Sequence, residues 1–378
     1  MSDIGLAGSK PQQRRSTLRQ SFLNLAASRR FQSWAARFPL TRRITRNEGE
    51  AMLDLMAGFV HTQALRALIE FRVLDILMDG PAVLDDLATT TQVPPDRLRV
   101  ALNAAVALGL LRLKNDSYDV TRRGAALTGV PGLADMIRHH DVLYRDLADP
   151  AAFFRGETET ELARFWPYVF GAGAADDPDT AQRYSQLMTD SQTLIAEETL
   201  EALSLADAKH LMDVGGGTGA FLRHALKVTP NLTATLFDLP AVVATAESAF
   251  RKAGLSDRVT IRPGSFRDEV LPVEADTISL IRVLYDHADE TVARLLKNVY
   301  DALPSSGRII ISEPMTGGDR PTKAGDAYFA VYTLAMNTGR TRSAVEISQA
   351  LAMAGFAQIE VPATNRPFVT SVVTAQKI

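Results

Sequence analysis

Apolar residues in the second half of the chain fall into short runs separated by helical stripes. The runs predict strands that end near five positions: Val214, Phe237, Ile261, Ile281 and Ile311. The clearest stripe follows the fourth run and consists of Val292, Leu295, Leu296, Val299 and Leu303. Strands that alternate with helices predict an α/β fold with a doubly wound, mostly parallel sheet. Because ligands bind such sheets beyond the carboxyl ends of the strands, we expect the functional residues there.

The chain closes with a different pattern. Two strands are predicted over Ala357 to Val361 and Phe368 to Ala375, and the loop through Pro362 and Pro367 leaves no room for a helix between them. Consecutive strands without a crossover helix pair antiparallel. We therefore expect the last strand to run against the others, which a dinucleotide-binding sheet does not require.

The first half reads as helical. Glu48 to Met78 carries apolar residues at helical spacing, and shorter helices are predicted over Val83 to Ala88 and Asp96 to Leu108. A hairpin around Asn115-Asp116 follows and completes the pattern of a winged helix. Acidic residues flank these helices, so the pattern favours a structural or dimer-forming role over DNA binding. We expect a basic arm over residues 1–47, a helical domain over 48–190 and a ligand-binding domain over 191–378.

Composition narrows the function classes. The chain has 378 residues, of which 46% are hydrophobic and 22% charged, and it contains no cysteine. Disulfides, thiolate metal sites and cysteine nucleophiles are therefore excluded, and a reducing cytoplasmic setting is expected. A net charge of −3 argues against nucleic acid as the main partner. The sequence also lacks an apolar run long enough to span a bilayer.

Charge is distributed unevenly along the chain. Between Lys10 and Arg46 there are nine arginines and no acidic residue, with aromatic residues such as Phe31 and Trp34 interleaved. One interpretation is an arm that frays or packs on a partner subunit. The second is a basic amphipathic segment that rests peripherally on an anionic membrane surface.

The glycine cluster carries the first chemical signal. Asp213 to Gly219 reads Asp-Val-Gly-Gly-Gly-Thr-Gly and links a predicted strand to a predicted helix, so Gly215 and Gly217 would let a ligand touch backbone. Asp238 ends the next strand at the distance where an acidic residue meets a ribose hydroxyl pair. A nicotinamide dinucleotide also fits this pattern. Asp213, which could receive an ammonium group, and the antiparallel end of the sheet favour S-adenosylmethionine.

Four segments together resemble the small-molecule O-methyltransferases related to the caffeate and acetylserotonin enzymes. They are Asp213 to Gly219, Phe237 to Pro240, Arg282 to Glu290 and Ser312 to Met315. Within that family, Arg164 to Gly173 is similar to bacterial carotenoid O-methyltransferases. The resemblance implies a Rossmann-like class I methyltransferase sheet, a winged-helix dimerisation domain and a homodimer. It also implies methylation of the tertiary hydroxyl of an acyclic hydroxycarotenoid without a metal, with the protein peripheral on the inner or photosynthetic membrane.

The resemblance also implies site residues. The cofactor would contact Asp213, Gly215, Gly217, Asp238, Leu239, Ser265, Phe266 and Arg282. Met188 stands where the family has a substrate-clamping methionine, and Trp166 and Tyr168 lie in an aromatic stretch that could line an apolar pocket. His139 and His140 resemble a metal pair only superficially and are expected on an exposed helix face.

The catalytic positions depart from the family pattern. Tyr285-Asp286-His287 stands where plant members have His-Asp-Trp, so a tyrosine replaces the general-base histidine, and Glu313 stands where a glutamate orients that histidine. We expect Tyr285 to position the substrate hydroxyl and His287 or Asp286 to accept its proton. A competing interpretation makes these residues pocket wall only. For the chain as a whole, C-methylation of a tetrapyrrole such as a chlorin, or a cofactor-binding dimer without catalysis, would also fit the pattern.

Overall fold

The computed structural model describes residues 18–165 and 191–378. Helices make up most of the first half and follow one another as α1 (Leu18–Ala27), α2 (Arg29–Ala35), α3 (Arg42–Glu70), α4 (Val73–Met78), α5 (Leu84–Thr91), α6 (Pro95–Ala107), α7 (Arg122–Thr128), α8 (Leu133–Asp146), α9 (Pro150–Arg155) and α10 (Glu161–Phe165). Three short strands accompany them: β1 (Ala82–Val83), β2 (Leu111–Lys114) and β3 (Ser117–Val120).

The second half alternates strands and helices. Its strands are β4 (His210–Val214), β5 (Thr233–Asp238), β6 (Val259–Pro263), β7 (Thr277–Ile281), β8 (Arg308–Glu313), β9 (Ala357–Glu360) and β10 (Ser371–Gln376). Its helices are α11 (191–202), α12 (Ala220–Val228), α13 (Pro240–Val243), α14 (Ala246–Lys252), α15 (Asp289–Ala302), α16 (Ala330–Met336) and α17 (Ala344–Ala354). A π-helical turn, Lys323–Phe329, leads directly into α16.

These strands form one seven-stranded sheet in the order β6-β5-β4-β7-β8-β10-β9. The pairs among β4 to β8 are parallel, whereas β10 runs antiparallel to both β8 and β9. The α/β fold and its antiparallel last strand are therefore confirmed. The order reverses between β4 and β7, and ligands of doubly wound sheets bind at such a reversal.

Alternating side chains cover the two faces of the sheet. Leu211 of β4 packs with α11, α12 and α14 on one face, while Met212 packs with α15 and α17 on the opposite face. The stripe predicted on α15 is buried against the sheet as expected. Since both faces are covered, the polar ligand site is restricted to the strand ends.

The winged-helix pattern is present in the first half. Helices α5 and α6 precede the β2–β3 hairpin, and β1 completes a small sheet in the order β1-β3-β2. Asn115 and Asp116 at the hairpin tip have φ +50° and +59°. A two-residue turn with both values positive matches the twist of the strands, and Asn and Asp are among the residues that tolerate this backbone.

Helix α3 differs from the expectation for its segment. It runs unbroken across residue 47, where we predicted the boundary between the basic arm and the helical domain. The limits of the three domains stay predictions. Its apolar stripe is exposed in the single chain, with Leu55 80% and Phe59 67% accessible. A stripe of this kind requires cover by another surface. Within residues 18–165 and 191–378, no helix is long and apolar enough to cross a bilayer.

Candidate active site

The glycine loop, Gly215 to Gly219, connects β4 to α12 at the carboxyl edge of the sheet. Gly217 has φ +60°, and nothing lies within 4 Å of the position that its Cβ would occupy. At Gly217 the loop therefore presents bare backbone to open space, which a ligand can approach closely. Gly216 is crowded from below, because a Cβ there would lie 2.5 Å from Oδ2 of Asp213.

Asp213 is buried beneath this loop. Its Oδ1 accepts a hydrogen bond from Oγ of Ser279 at 2.6 Å, while Oδ2 is buried and has no hydrogen-bond partner within the described part of the chain. Burial raises the pKa of Asp213 to about 7. A nearby positive charge would stabilise the ionised form. The residue therefore fits a ligand with an ammonium group, as in S-adenosylmethionine, although its direct contact with that group stays a prediction.

Asp238 ties the end of β5 to the glycine loop. Its Oδ2 accepts from the backbone N–H of Gly217 and its Oδ1 from that of Leu239, both at 2.7 Å. Burial raises the pKa of Asp238, and these two bonds counteract the rise. Each carboxylate oxygen has further lone pairs, so both can still accept from the neighbouring hydroxyls of a ribose. This geometry supports the cofactor-binding role predicted for Asp238.

The loop after β6 contains two predicted cofactor contacts. Phe266 packs edge-on against the ring of His287 at a centroid distance of 5.3 Å. The hydroxyl of Ser265 donates to Asp268 at 2.8 Å, and its backbone N–H donates to Glu269. Ser265 therefore shapes the loop through its own neighbours, and contact with the adenine stays a prediction.

Glu313 organises the turn that follows β7. This fully buried glutamate ends β8, and its Oε2 accepts from the backbone N–H groups of Leu284 at 2.9 Å and Tyr285 at 3.2 Å. Buried Arg342 stabilises the same turn, because it donates hydrogen bonds to the carbonyl oxygens of Leu284 and His287. Burial raises the pKa of Glu313 to about 7, opposed by Arg342 and by the two backbone bonds. The turn is thus fixed from two sides.

Arg282 begins this turn in a left-handed backbone conformation, with φ +59°. Its Nε donates to the Tyr285 hydroxyl at 3.3 Å, and its Nη1 donates to Oγ of Ser191 on α11 at 2.9 Å. Burial raises the pKa of the Tyr285 phenol well above its usual value. Tyr285 therefore stays neutral and retains a proton that it can donate. A non-glycine residue with positive φ is uncommon and concentrates at functional sites.

Comparisons with known proteins agree with this geometry. A sequence model of the O-methyltransferase domain matches residues 144–357, and one of the O-methyltransferase dimerisation domain matches residues 53–149. The chain belongs to the O-methyltransferase family. It is accordingly an S-adenosylmethionine-dependent O-methyltransferase, and its dimerisation domain supports a homodimer.

The chain is also similar to individual members of the family over most of its length. The chain is 52% identical to the demethylspheroidene O-methyltransferase of Cereibacter sphaeroides, over 93% of each chain, and 52% identical to that of Rhodobacter capsulatus, over 94% of this chain and 89% of the relative. Mouse acetylserotonin O-methyltransferase is 30% identical over 84% of this chain and 86% of its own length. Human N-acetylserotonin methyltransferase with S-adenosylmethionine has the same fold, with a TM-score of 0.74, 24% identity and coverage of 87% and 97% of the two chains.

His287, one of the two predicted proton acceptors, is paired with an arginine. Its Nδ1 lies 2.9 Å from Nη2 of Arg267, a donor that occupies this nitrogen's lone pair. Burial, together with the charges of Arg267 and Arg342, lowers the pKa of His287 to about 3. This arrangement argues against His287 as the base. Oδ1 of Asp286 is buried without a hydrogen-bond partner among the described residues, but burial raises the pKa of this carboxyl well above its usual value and so favours the protonated form, which cannot accept a proton. Its role as the acceptor stays a prediction.

His139 and His140 were expected on an exposed face, and that expectation is wrong. Both rings are half-buried where α8 meets the segment before and within α16, and each bonds a tyrosine hydroxyl. Helical spacing alone could not reveal this, because the tyrosines lie almost two hundred residues further along the chain. The predicted substrate residues Met188, Trp166 and Tyr168 fall outside the described residues.

Replacement of Asp213 should change the pH dependence of stability. With a folded-state pKa of about 7, this residue keeps a proton that the unfolded chain has released above about pH 4. The native state then binds more protons than the unfolded state, so this contribution to the unfolding free energy falls as pH rises from about 4 to 7. In Asp213→Asn, we expect the unfolding free energy to fall between pH 5 and pH 7 by about 1–2 kcal/mol less than it does in the wild type.

Urea unfolding of the ligand-free protein at pH 5, 6, 7 and 8 measures this difference. Asp257→Asn, a change at an exposed aspartate in the same half, serves as the control and should follow the wild-type curve. Parallel curves for Asp213→Asn and wild type would show that Asp213 is already ionised at low pH.

Proposed function

We propose that this chain transfers the methyl group of S-adenosylmethionine to the tertiary hydroxyl of an acyclic hydroxycarotenoid, which gives a methoxycarotenoid. The observation that carries the proposal is the 52% identity, over nearly the full length of both chains, to two demethylspheroidene O-methyltransferases. The catalytic turn agrees with such a substrate, because it presents a neutral tyrosine where a phenol-methylating enzyme would hold a basic histidine.

The acidity of the substrate hydroxyl explains why a tyrosine can stand where a phenol-methylating enzyme would hold a histidine. A phenol has a pKa of about 10, so a histidine held by carboxylates can remove its proton before the methyl group moves. A tertiary alcohol is much less acidic and cannot be ionised in advance. Its oxygen must be aligned as a neutral nucleophile, and its proton leaves as the new bond forms. Alignment therefore contributes more to this reaction than basicity does.

The site's residues suit this task. S-adenosylmethionine, when bound, supplies an activated methyl group whose transfer is a displacement. The glycine loop and Asp238 would hold it beside the Tyr285 turn, which Glu313 and Arg342 fix in place. Tyr285 accepts from Arg282 and is left to donate its own proton to the substrate oxygen. That bond would occupy one lone pair of the oxygen and direct the second toward the methyl group.

The basic arm supports a peripheral membrane contact, which we propose as the route to a lipophilic substrate. Arg29, Arg30 and Arg37 line one open groove together with Trp34 and Phe38, whose rings stack at 4.8 Å. Further apolar side chains are exposed around them: Phe22, Leu23, Leu25, Leu40 and Ile44. Arginines beside exposed aromatic rings suit the interface of an anionic bilayer.

Methyl transfer from labelled S-adenosylmethionine to 1-hydroxyneurosporene in detergent tests the proposed reaction. We expect a chromatographically resolved methoxycarotenoid that carries the label. Neurosporene, which has no hydroxyl group, is the matched control and should receive none. Cofactor binding without any methylated carotenoid would overturn the substrate assignment, and a chlorin would become the next acceptor to try.

Charge reversal tests the membrane contact. The triple variant Arg29→Glu, Arg30→Glu, Arg37→Glu should lose about 100-fold in affinity for vesicles with anionic lipid, since each basic residue contributes about 1 kcal/mol. Its turnover of detergent-dispersed substrate should match that of the wild type. The control variant reverses Arg97, Arg122 and Arg155, which are exposed elsewhere on the helical half. Equal vesicle binding by the two triple variants, or equal loss of turnover in detergent, would contradict the proposal.

A further inference from the structure

A loop and a turn from different strands meet at the carboxyl edge of the sheet. The loop, Gly264 to Arg267, follows β6, and the turn, Tyr285 to His287, follows β7. Because β5 and β4 lie between them, β6 and β7 are about 14 Å apart. The loop nevertheless reaches the turn, since Phe266 packs edge-on against the His287 ring and Arg267 bonds that ring. Loop and turn together form an arch across the ends of β5 and β4.

Both sides of this arch adjoin the residues predicted to hold the cofactor. The backbone N–H of Gly264 donates to the carbonyl oxygen of Asp238 at 2.9 Å, so the loop begins beside the aspartate expected to bind the ribose. On the other side, a Cβ on Gly215 would lie 2.9 Å from Cγ2 of Val283, so the glycine loop touches the residue that leads into the turn. A ligand bound by Asp238 and the glycine loop therefore lies against the arch.

The sheet order indicates which end of the cofactor meets the arch. With the ammonium group at Asp213 on β4 and the ribose at Asp238 on β5, the methionyl chain extends from the ribose toward β4. The adenine is attached to the opposite side of the ribose, and β6 is the next strand in that direction. The base is therefore directed at the loop after β6 and at the His287 ring on which that loop packs.

Arg267 determines which nitrogen of His287 carries the hydrogen. A guanidinium group has only donors and keeps its charge in proteins. Its Nη2 lies 2.9 Å from Nδ1 of His287, so Nδ1 must accept and cannot itself carry a hydrogen. Burial lowers the pKa of His287 to about 3, which keeps the ring neutral at pH 7. The ring hydrogen then lies on Nε2, which bonds no other residue in the described part of the chain.

We propose that Arg267 holds His287 as a fixed hydrogen-bond donor, and that the Nε2–H of His287 recognises a ring nitrogen of the adenine of S-adenosylmethionine. Three ring nitrogens of adenine, N1, N3 and N7, are acceptors, which a donor matches and a bare imidazole nitrogen would repel. His287 is thus a cofactor-binding residue, and Arg267 is a positioning residue that acts through it. The inference concerns the cofactor alone and holds whichever acceptor receives the methyl group.

The two ends of the turn then serve different molecules. The hydroxyl of Tyr285 accepts from Arg282, which also bonds Ser191 on α11, on the side away from the loop after β6. His287 packs on that loop instead. One short turn thus presents a tyrosine to the methyl acceptor and a histidine to the cofactor, and Glu313 and Arg342 fix both at once.

Calorimetric titration with S-adenosylhomocysteine tests the donor. His287→Phe removes the N–H but retains a ring that can pack on Phe266, so we expect binding to weaken by about 10-fold, the scale of one hydrogen bond. His210→Phe makes the same change at the amino edge of the sheet, where β4 begins, and should bind like the wild type. Unchanged affinity in His287→Phe, or an equal loss in His210→Phe, would overturn the proposal.

Analogues of S-adenosylhomocysteine identify the acceptor. Each of three analogues has a C–H in place of N1, N3 or N7 of the adenine. One of them should bind the wild type about 10-fold more weakly than the parent compound does, whereas His287→Phe should bind that analogue and the parent equally well. If each analogue loses the same factor in both proteins, His287 contacts no ring nitrogen and the proposal is wrong.

Arg267→Met tests the positioning role and leaves the histidine ring in place. It should weaken S-adenosylhomocysteine binding and reduce the discrimination against the same analogue, but it should weaken binding no further when added to His287→Phe. Nitrogen-15 NMR of the six histidines at pH 7 should show the hydrogen of His287 on Nε2 in the wild type and on both nitrogens in Arg267→Met. A wild-type ring with its hydrogen on Nδ1, or one that Arg267→Met leaves unchanged, would contradict the proposal.

Discussion

The contact between Glu313 and the turn after β7 is the interaction on which the carboxyl edge of the sheet depends. One buried carboxylate oxygen accepts from two successive backbone N–H groups and so joins the ends of two neighbouring parallel strands. Burying a carboxylate is costly unless several donors meet it, and the two backbone N–H groups and the nearby charge of Arg342 offset only part of this cost. Oε1 has no hydrogen-bond partner within the described part of the chain, and the pKa of Glu313 stays raised. The position of Tyr285 follows from this contact, since its own N–H is one of the two donors.

The helical half of the chain and the sheet meet at a junction that contains polar side chains. The turn after β7 belongs to the sheet, whereas His140 belongs to the helical half, and the segment from Lys323 to Met336 contacts both of them. The polar groups at this junction bond one another inside an apolar environment. In such surroundings each hydrogen bond is stronger and each unpaired polar group is more costly than in water. The site is thus suited to hold a single hydroxyl of an otherwise apolar substrate.

Much of the fold and of the cofactor-binding edge was predictable from local sequence. The strands, the glycine loop and the acidic end of β5 follow from apolar runs and turn residues, because neighbouring residues decide those features. The antiparallel last strand followed from the missing crossover helix. The contacts of His287 and His140 did not follow, because they depend on which distant side chains the fold brings together. Arg267 and Tyr328 carry no signal in the sequence that marks them as partners of these histidines. The exposure of the α3 stripe was also hidden, since periodicity identifies an apolar face but not what covers it.

The proposed mechanism requires the turn held by Glu313 to present the Tyr285 hydroxyl to the substrate. The most direct measurement is the single-turnover rate of Tyr285→Phe on 1-hydroxyneurosporene, together with its affinity for S-adenosylhomocysteine. With the proposed mechanism, we expect a rate lower by about 10-fold or more, the scale of one hydrogen bond, with unchanged cofactor affinity. Full turnover by Tyr285→Phe would contradict it and would leave Tyr285 as packing alone.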